Sequence, residues 1–299
     1  MSRAGRILIL GSTGQLGREL QRSFSGYADV IACAREKVDF TVDAQLRSAI
    51  RDASPDVILN AAAYTAVDRA ESEPDLAMTV NGHAPGVLAE EASRLDALFV
   101  HYSTDYVFDG TKVAAWEETD APNPLNIYGA SKLAGERAVE RVGGKHLIFR
   151  TSWVYGPHGK NFLLTMLRLA KERDRLKVVD DQIGAPTPSI ELADATRAIV
   201  DGVLEGRFGP TEAWAGVYHV TCGGAVSWRG FAEAIFERAR PLLDGKRPET
   251  APIRTSEYPT PARRPQNSAL SNKKLNRTFD VRLPSWRDAL DRVFLELRP

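Results

Sequence analysis

The sequence predicts an α/β protein with a doubly wound parallel sheet and a smaller α/β lobe. Three observations carry this prediction. Short apolar runs alternate with amphipathic segments through residues 1–152, a cluster of glycines directly follows the first run, and the pattern becomes more irregular after residue 152. Strand–helix alternation is typical of parallel sheets covered by helices on both faces, because each crossover between parallel strands is right-handed.

Apolar runs in the first half predict buried strands. They occupy residues 6–10, 29–33, 56–60, 97–103 and 146–152. The segments between them carry apolar residues at helical spacing, as in QLGRELQRSF after the first run and ASKLAGERAVERV before the fifth. This half of the chain is therefore predicted to form a Rossmann-type domain.

After residue 152 the pattern predicts a smaller lobe that crosses back to the first domain. Amphipathic helices are predicted at 162–175, about 190–204, about 228–243 and 285–297, and a proline-rich run extends from Pro248 to Pro265. The predicted division of the chain is 1–152 for the first domain, with a return segment near 188–216, and 153–187 with 217–299 for the smaller, substrate-binding lobe.

Charge and composition exclude several classes of protein. The chain has 39 basic and 39 acidic residues, so bulk charge does not favour nucleic acid or an anionic membrane as a partner. The one basic cluster of note is PARRPQNS, near residue 263. Cys33 and Cys222 lack metal-ligand spacing and are typical of a reducing compartment. Without a signal peptide or a membrane-length apolar run, we expect a cytoplasmic protein.

A glycine-rich turn follows the first predicted strand. In ILILGSTGQLGREL, the residues Gly11, Gly14 and Gly17 lie between a strand and a helix. Residues without Cβ let backbone N–H groups approach a pyrophosphate at the helix N-terminus. The spacing alone is weak evidence, and a tight turn without a ligand is the alternative. The strand–turn–helix context favours a dinucleotide site, so the first domain is predicted to bind NAD(P).

The end of the second strand bears on the choice of coenzyme. NAD-binding proteins usually carry an acidic residue there, whereas an arginine accommodates the 2′-phosphate of NADP. Here Cys33 and Ala34 occupy the acidic position and Arg35 follows, with Glu36 one or two positions too far along. We therefore expect a preference for NADPH, with NADH possible. The alternative is that Arg35 is only a solvated surface charge.

A tyrosine and a lysine lie four positions apart in NPLNIYGASKLAGE. On a helix, Tyr128 and Lys132 project from one face, one turn apart. The ammonium can lower the pKa of the phenol and hold the nicotinamide ribose, and the phenol can exchange a proton at a carbonyl. The small residues around them, such as Gly129 and Gly135, are explained equally well by close packing, but packing does not explain the tyrosine and lysine.

Hydroxyl groups end the fourth predicted strand. VHYSTDYVFDG places Ser103, Thr104 and Asp105 at the carboxyl end of that strand, where open α/β sheets bind ligands. Thr104 is suited to hydrogen-bond a substrate carbonyl and to orient the Tyr128 phenol. Taken alone, these residues are better explained as a strand-end cap, and their combination with the glycine turn and Tyr128 favours a catalytic role.

The chain resembles the extended short-chain dehydrogenase/reductases, and within them the dTDP-4-dehydrorhamnose reductases. The similar stretches extend nearly from end to end. They are GSTGQLGREL, PDVILNAAAYTAVDRAESEP, VHYSTDYVFDGT, NPLNIYGASKLAGE, HLIFRTSWVYG, NFLLTMLRLAKER, VVDDQIGAPT and YPTPARRPQNSAL.

The resemblance implies reduction of the C4 ketone of dTDP-4-dehydro-L-rhamnose to dTDP-L-rhamnose. It implies Tyr128 as general acid, Lys132 as its pKa tuner and ribose ligand, and Thr104 as the hydroxyl that polarises the carbonyl. With the glycine turn and Arg35, the expected cofactor-binding residues are Gly11, Gly14, Gln15, Leu16, Gly17, Arg35, Asp39, Phe40, Ala63, Tyr64, Thr65, Tyr128 and Lys132. The expected substrate-binding residues are Thr104, Asp105, Tyr106 and Trp153.

Some members of this family pair as homodimers around a Mg²⁺ ion held by glutamates. The aligned positions here are Glu19, Glu191 and Glu296, and a solvated helix face is the more usual explanation for such charges. We expect a flat apolar face of Trp153 to receive the sugar ring, with a core position as the alternative. His158 and Lys160 lie near the substrate lobe and meet either a phosphate or solvent.

Two other functions fit the same scaffold. An NDP-sugar epimerase or dehydratase is one, although a dehydratase typically has a further carboxylate pair and no glutamate adjoins Thr104 and Asp105. A non-catalytic regulatory subunit of the methionine adenosyltransferase type is the other. The presence of Thr104, Tyr128 and Lys132 together argues against that subunit, though retention of a fold proves no chemistry.

Overall fold

The computed structural model describes residues 5–26 and 29–297. In chain order, its strands are β1 (Arg6–Leu10), β2 (Asp29–Cys33), β3 (Val57–Asn60), β4 (Leu98–Thr104), β5 (His146–Thr151), β6 (Val154–Tyr155), β7 (Arg175–Val179), β8 (Ile183–Gly184), β9 (Thr187–Pro188), β10 (Gly216–His219), β11 (Val226–Ser227) and β12 (Glu249–Ile253).

Its α-helices are α1 (Gln15–Ser23), α2 (Asp43–Ala53), α3 (Val67–Ala70), α4 (Pro74–Met78), α5 (Ala84–Arg94), α6 (Ile127–Val142), α7 (Phe162–Glu172), α8 (Ser189–Leu204), α9 (Thr211–Trp214), α10 (Trp228–Ala239), α11 (Lys273–Phe279) and α12 (Trp286–Glu296). A π-helical turn, Thr79–His83, joins α4 to α5, and short 3₁₀ helices cover Asp105–Val107, Arg240–Leu243 and Thr255–Glu257. No described helix is long and apolar enough to cross a membrane.

The larger part of the molecule is built on a six-stranded parallel sheet in the order β10-β5-β4-β3-β1-β2. The doubly wound prediction is confirmed, and the five predicted strands lie within one residue of their expected bounds. The strand order reverses between β1 and β3, which is where ligands of such sheets bind.

Successive side chains along each strand point to opposite faces of this sheet. In β1, Ile7 and Ile9 pack into one apolar cluster with α1 and α8, whereas Leu8 and Leu10 pack into another with α2 and α5. Strands buried on both faces require near-continuous apolar runs, which is why RILIL and VILN are so hydrophobic.

A second apolar cluster lies in the smaller lobe, among α7, α10 and α12 and beside the parallel pair β7–β12. The helix predicted at 162–175 ends at Glu172, because Arg175 already begins β7. Two elements within the range predicted for this lobe pack instead on the larger sheet. They are β10, which pairs with β5, and α11, which contributes Leu275 and Phe279 to the cluster of α1 and α8.

The helix α6 approaches its neighbours unusually closely. A Cβ on Gly129 would lie 2.2 Å from the carbonyl oxygen of Tyr106, and a Cβ on Gly135 would lie 2.1 Å from that of Asn81 in the π-helical turn. The small residues of this helix therefore let it pack against protein backbone on two sides. The packing explanation holds for these glycines.

We expect Gly135→Ala to destabilise the protein. Alanine gains about 1 kcal/mol of helix propensity, but its Cβ would collide with a backbone oxygen that cannot move away cheaply, and overpacking of this kind costs about 1–3 kcal/mol or more. Urea unfolding followed by circular dichroism measures the difference. Gly26→Ala is the control, because an added Cβ there meets nothing within 4 Å. Equal stability of the two variants would contradict the close approach of α6.

Candidate active site

A cleft of about 750 Å³ lies beyond the carboxyl ends of the central strands. The residues that directly follow β1 to β5 all line it, as expected for the point where strand order reverses. The cleft brings together nearly every residue that the sequence assigns to catalysis or binding. These are Gly11, Gly14, Gln15, Leu16, Arg35, Asp39, Phe40, Ala63, Tyr64, Thr65, Thr104, Asp105, Tyr106, Tyr128, Lys132 and Trp153.

The glycine turn opens the cleft at one end. Gly11 has a φ of 75°, and a Cβ there would lie 2.7 Å from the backbone nitrogen of Ala62. The first N–H groups of α1, at Gln15 and Leu16, have no acceptor within the described part of the chain. Free N–H groups at a helix N-terminus suit a phosphate, so the turn fits a dinucleotide.

Gly17 does not line the cleft, although the sequence assigns it to cofactor binding. A Cβ at this position would lie 2.1 Å from the carbonyl oxygen of Gly11. Its hydrogen atom is what lets α1 pack against the turn after β1. Gly17 therefore shapes the turn from behind and does not face a ligand.

Arg35 and Asp39 share the outer end of the cleft with Phe40. Hydrogen bonds from the backbone N–H and the hydroxyl of Thr41, at 2.9 and 2.7 Å, lower the pKa of Asp39, and the charge of Arg35 lowers it further. Arg35 is exposed. A cation and a carboxylate thus lie close together where the protein would recognise the ribose and 2′-phosphate of a dinucleotide.

Asn81 holds the segment that runs along the middle of the cleft. Its side-chain oxygen accepts a hydrogen bond from the Tyr64 N–H at 2.8 Å, and its amide donates to the Tyr64 carbonyl at 2.9 Å. The same amide donates to the Ser131 hydroxyl on α6 at 3.1 Å. Sequence reasoning missed Asn81, because a π-helical turn has no simple pattern. Such turns are frequent at functional sites.

Tyr128 and Lys132 lie one turn apart on α6, whose N-terminus is capped by Asn126. The Asn126 side-chain oxygen accepts from the Gly129 N–H at 2.7 Å, and its amide donates to the carbonyl of Arg263 at 2.7 Å. Burial raises the pKa of Tyr128 to about 12, opposed by the Thr104 hydroxyl and reinforced by the charge of Asp105. The phenol is therefore protonated throughout the neutral range.

Burial and the charge of Asp105 raise the Tyr128 pKa, the Thr104 hydroxyl lowers it, and Lys132 is not among these influences. Lys132 instead directs its ammonium to the ring of His101, 3.2 Å from Nε2. Lys132 is 1% exposed, and burial lowers its pKa to about 8, against the raising influence of Glu136. The hydroxyl of Thr104, rather than the ammonium, is the group that lowers the Tyr128 pKa here.

Thr104 and Asp105 form a polar pair at the end of β4. The Thr104 hydroxyl donates to Asp105 Oδ1 at 3.0 Å and accepts from the Tyr106 N–H at 3.2 Å. Asp105 is 2% exposed, and its Oδ2 has no partner within the described residues. Burial raises the pKa of Asp105 to about 7, so this carboxyl changes charge near neutrality. A buried carboxyl with a free oxygen is suited to a polar ligand.

One face of the Trp153 indole is covered by a second tryptophan. Trp228 stacks on the ring with 3.5 Å between centroids and an angle of 4° between planes. A Cβ on Gly184 would lie 2.5 Å from the ring, which places that backbone directly against it. Trp153 also has a φ of 47°, a strained value for a bulky residue. Both tryptophans line the cleft, and the sequence did not single out Trp228.

The remaining predicted charges have identifiable partners. Glu19 is bound to Arg22 at 2.7 Å and Glu191 to Arg292 at 2.9 Å. Across residues 5–26 and 29–297, no group of three histidine, cysteine or acidic side chains is close enough to hold a metal ion. The three glutamates, including Glu296, therefore do not form a metal site within one chain.

Two other polar features lie near the site. Arg264, in the basic cluster of the sequence, binds Asp68 at 2.8 Å and is half-buried. Lys160 lines the cleft, whereas His158 does not. Arg264 is thus held by an ion pair, whereas the neighbouring Arg263 is exposed.

Comparison with known proteins gives consistent matches along the whole chain. The family model described as the RmlD substrate binding domain matches residues 5–298. The chain is 51% identical over 290 residues to a dTDP-4-dehydrorhamnose reductase of Burkholderia thailandensis, covering 95% of this chain and 96% of that protein. It is 46% identical to the Salmonella typhimurium protein of the same name, covering 97% of each.

Comparison with solved structures gives matches to the same family. A dTDP-4-dehydrorhamnose reductase from Bacillus anthracis, in complex with NADP, superposes with a TM-score of 0.90 at 36% identity, covering 98% of this chain and 100% of that one. A Thermus thermophilus UDP-glucose 4-epimerase in complex with NAD gives a TM-score of 0.74 at 22% identity, covering 98% of each chain. The epimerase shares the fold, and at that identity it supports nothing more.

We expect Asp105→Asn to stabilise the protein more at pH 8 than at pH 5. The folded-state pKa of Asp105, about 7, lies above the ordinary value of 3.8. The folded protein therefore binds the proton more tightly, and stability falls as pH rises through this window. Asparagine removes the buried charge above pH 7, and the two pH units between pH 5 and the folded pKa make the added gain about 3 kcal/mol. Thermal unfolding at both pH values measures it.

Asp109→Asn is the control for that substitution. Hydrogen bonds from Thr111, with a further one from Asn123, lower the pKa of Asp109. Its ionised form stabilises the fold above the unfolded pKa, so this variant should lose stability at pH 8. If Asp105→Asn behaved in the same way, the carboxyl of Asp105 would not be held in an unfavourable charged state.

Proposed function

The chain belongs to the dTDP-4-dehydrorhamnose reductases, and we propose that it reduces the C4 ketone of dTDP-4-dehydro-L-rhamnose to dTDP-L-rhamnose in an NADPH-dependent reaction. One observation carries the assignment of the chemistry to residues. Thr104, Tyr128 and Lys132 line the same cleft as the glycine turn after β1, so an acid, a hydroxyl and a cation adjoin a dinucleotide site.

The glycine turn and Arg35 would hold the dinucleotide at its phosphates and adenosine, and Lys132 would hold the nicotinamide ribose. When bound, NADPH supplies the hydride that C4 of the sugar receives. The positive φ of Gly11 and the free N–H groups of Gln15 and Leu16 support the binding of the cofactor phosphates at the glycine turn. These residues fit the cofactor in type and in position.

Tyr128 supplies the proton in this proposal. The C4 carbonyl oxygen takes the phenolic proton as the carbon is reduced, so one ketone becomes one alcohol and a phenolate remains. A pKa of about 12 keeps the phenol loaded at neutral pH. The Thr104 hydroxyl lies close enough to influence that phenol, and it would hydrogen-bond the same carbonyl oxygen.

The ammonium of Lys132 would stabilise the phenolate left on Tyr128. A positive charge held in a buried site acts more strongly on developing charge than it would in water. Because Lys132 is 1% exposed, its charge is not screened by solvent. Substrate binding would return the lysine to the role expected from sequence, that of lowering the tyrosine pKa at the moment of proton transfer.

The sugar and nucleotide would bind along Asp105, Tyr106 and Trp153. The unpartnered oxygen of Asp105 suits a sugar hydroxyl, and Tyr106 lies edge-on to Tyr128, with ring centroids 5.9 Å apart. With Trp228 stacked on one face of its indole, Trp153 would meet the sugar with the part of the ring that Trp228 leaves uncovered. Trp228 is therefore a candidate substrate contact as well.

We place the protein in the cytoplasm, as its composition predicts, and Cys33 and Cys222 are both unpaired thiols. Product analysis distinguishes this function from the epimerase and the regulatory subunit. A reductase consumes one NADPH for each ketosugar reduced, an epimerase consumes none, and a regulatory subunit reduces no ketosugar. The homodimer implied by resemblance stays a prediction.

Tyr128→Phe should lower kcat by about 10²–10⁴, the usual contribution of a general acid, with little change in NADPH affinity. Steady-state kinetics with dTDP-4-dehydro-L-rhamnose and fluorescence titration of NADPH measure the two effects. Tyr155→Phe is the control, because Tyr155 is a buried tyrosine that lies outside the cleft. Near wild-type turnover of Tyr128→Phe would remove this residue from its proposed role.

Arg35→Ala should raise KM for NADPH about tenfold or more, since one charged hydrogen bond contributes about 1.5–3 kcal/mol, and should leave KM for NADH almost unchanged. Lys37→Ala is the control, because Lys37 is exposed but does not line the cleft. A wild-type enzyme with a higher kcat/KM for NADH than for NADPH would overturn the assignment of Arg35.

A further inference from the structure

His101 lies directly behind the proposed catalytic lysine. It is on β4, has no exposed surface, and packs between the sheet and α6. Its Nε2 is 3.2 Å from Lys132 Nζ, and its Nδ1 is 3.1 Å from the side-chain amide nitrogen of Asn60 on β3. Neither the sequence motifs nor the proposed proton transfer accounts for a histidine here.

The contact with the Lys132 ammonium sets the tautomer of this histidine. Burial, with the nearby Lys132 charge, lowers the pKa of His101 well below its ordinary value, so the ring is neutral. An ammonium can only donate, so Nε2 must carry the lone pair and Nδ1 the hydrogen.

Asn60 fits this tautomer if its amide is turned over. As placed, its NH₂ group faces the Nδ1–H, and its buried Oδ1 has no partner among the described residues. Exchanging the amide oxygen and nitrogen lets Oδ1 accept from the Nδ1–H. The result is one chain of donors and acceptors from Asn60 through His101 to Lys132.

We propose that His101 is a positioning residue. Asn60 holds His101 in one tautomer, and His101 in turn keeps Lys132 in its ammonium form and directs the two other N–H groups of that ammonium toward the cleft. This inference rests on the proposed function of Lys132. A lysine has a flexible four-carbon stem and three equivalent donors, so it needs a fixed acceptor to hold one orientation.

Other charged and titratable groups around Lys132 belong to the surrounding elements. Glu136 and Tyr128 lie on α6 itself, Arg150 on β5 binds Glu136 at 2.6 Å, and Asp105 follows β4. All of them remain when His101 alone is changed. A difference between variants at position 101 therefore reports the acceptor at Nε2 and not the general field of the site.

The test compares the pH profiles of kcat for the wild type, His101→Leu and His101→Gln. In the wild type, we expect activity to fall at high pH as Lys132, whose pKa burial lowers to about 8, loses its proton. Without an acceptor, the ammonium is harder to maintain. The high-pH limb of His101→Leu should therefore move to lower pH by about one unit, with a fall in kcat of about threefold at pH 7.5 that approaches about tenfold above pH 9.

His101→Gln should show a smaller shift than His101→Leu, because a glutamine oxygen can accept a hydrogen bond from Lys132. NADPH affinity, measured by fluorescence at pH 7 and pH 9, should decline more steeply with pH in His101→Leu than in the wild type. If His101→Leu does not fold, Asn60→Leu is measured instead, and we expect a smaller shift of the limb in the same direction.

His219→Leu is the matched control. His219 is as deeply buried and lies in the same sheet on β10, but its Nδ1 lies 3.1 Å from the carbonyl oxygen of Trp116, whereas His101 contacts the Lys132 ammonium. It should lose stability without moving the limb. A His101→Leu enzyme with the wild-type limb, or a His219→Leu enzyme with the same shift, would overturn the inference. A wild type that reduces no ketosugar would instead overturn the proposed function.

Discussion

A lysine ammonium buried inside the protein is the constraint on which the site depends. Moving an unpaired charge into the interior costs several kcal/mol, and Lys132 is 1% exposed. Its compensation comes from polar groups on three adjacent strands and one helix. Asn60 faces His101 across β3 and β4, and Ser103 faces Arg150 across β4 and β5, in each case as direct register partners.

The polar groups that compensate the buried charge are therefore in place only when the three strands pair in this register. A slip of one residue between β4 and either neighbour would turn these side chains to the opposite face. Glu136, held by Arg150 and by the hydroxyl of Ser103, would then be buried without partners. The polar layer behind the cleft specifies the pairing of three strands more strictly than the surrounding apolar residues do, since valine and leucine tolerate exchange.

Most of the fold and much of the site follow from local pattern. Apolar runs and glycine context predict the strands, the turn at Gly11 and the cleft, because these depend on residues near each other in the chain. His101, Asn81 and Trp228 were missed because their importance arises from contacts between distant segments. Gly17, which lies outside the cleft, and the pKa of Tyr128, which depends on groups from other elements, show the same limit of prediction from sequence. A motif identifies a residue, but packing decides whether it faces a ligand and what charge surrounds it.

The smaller lobe is assembled from separated parts of the chain, and this affects the order in which the protein can form. The apolar cluster of that lobe takes residues from α7, α10 and α12, and α12 supplies Trp286, Leu290 and Val293. During synthesis, domains generally fold as units from the N-terminal side. The face of the sheet that α2 and α5 cover can thus form while the chain is still being translated, whereas the opposite face must wait for α8 and the Trp153 side of the cleft for α12. A ribosome-bound intermediate would hold the dinucleotide end of the site before it holds the sugar end.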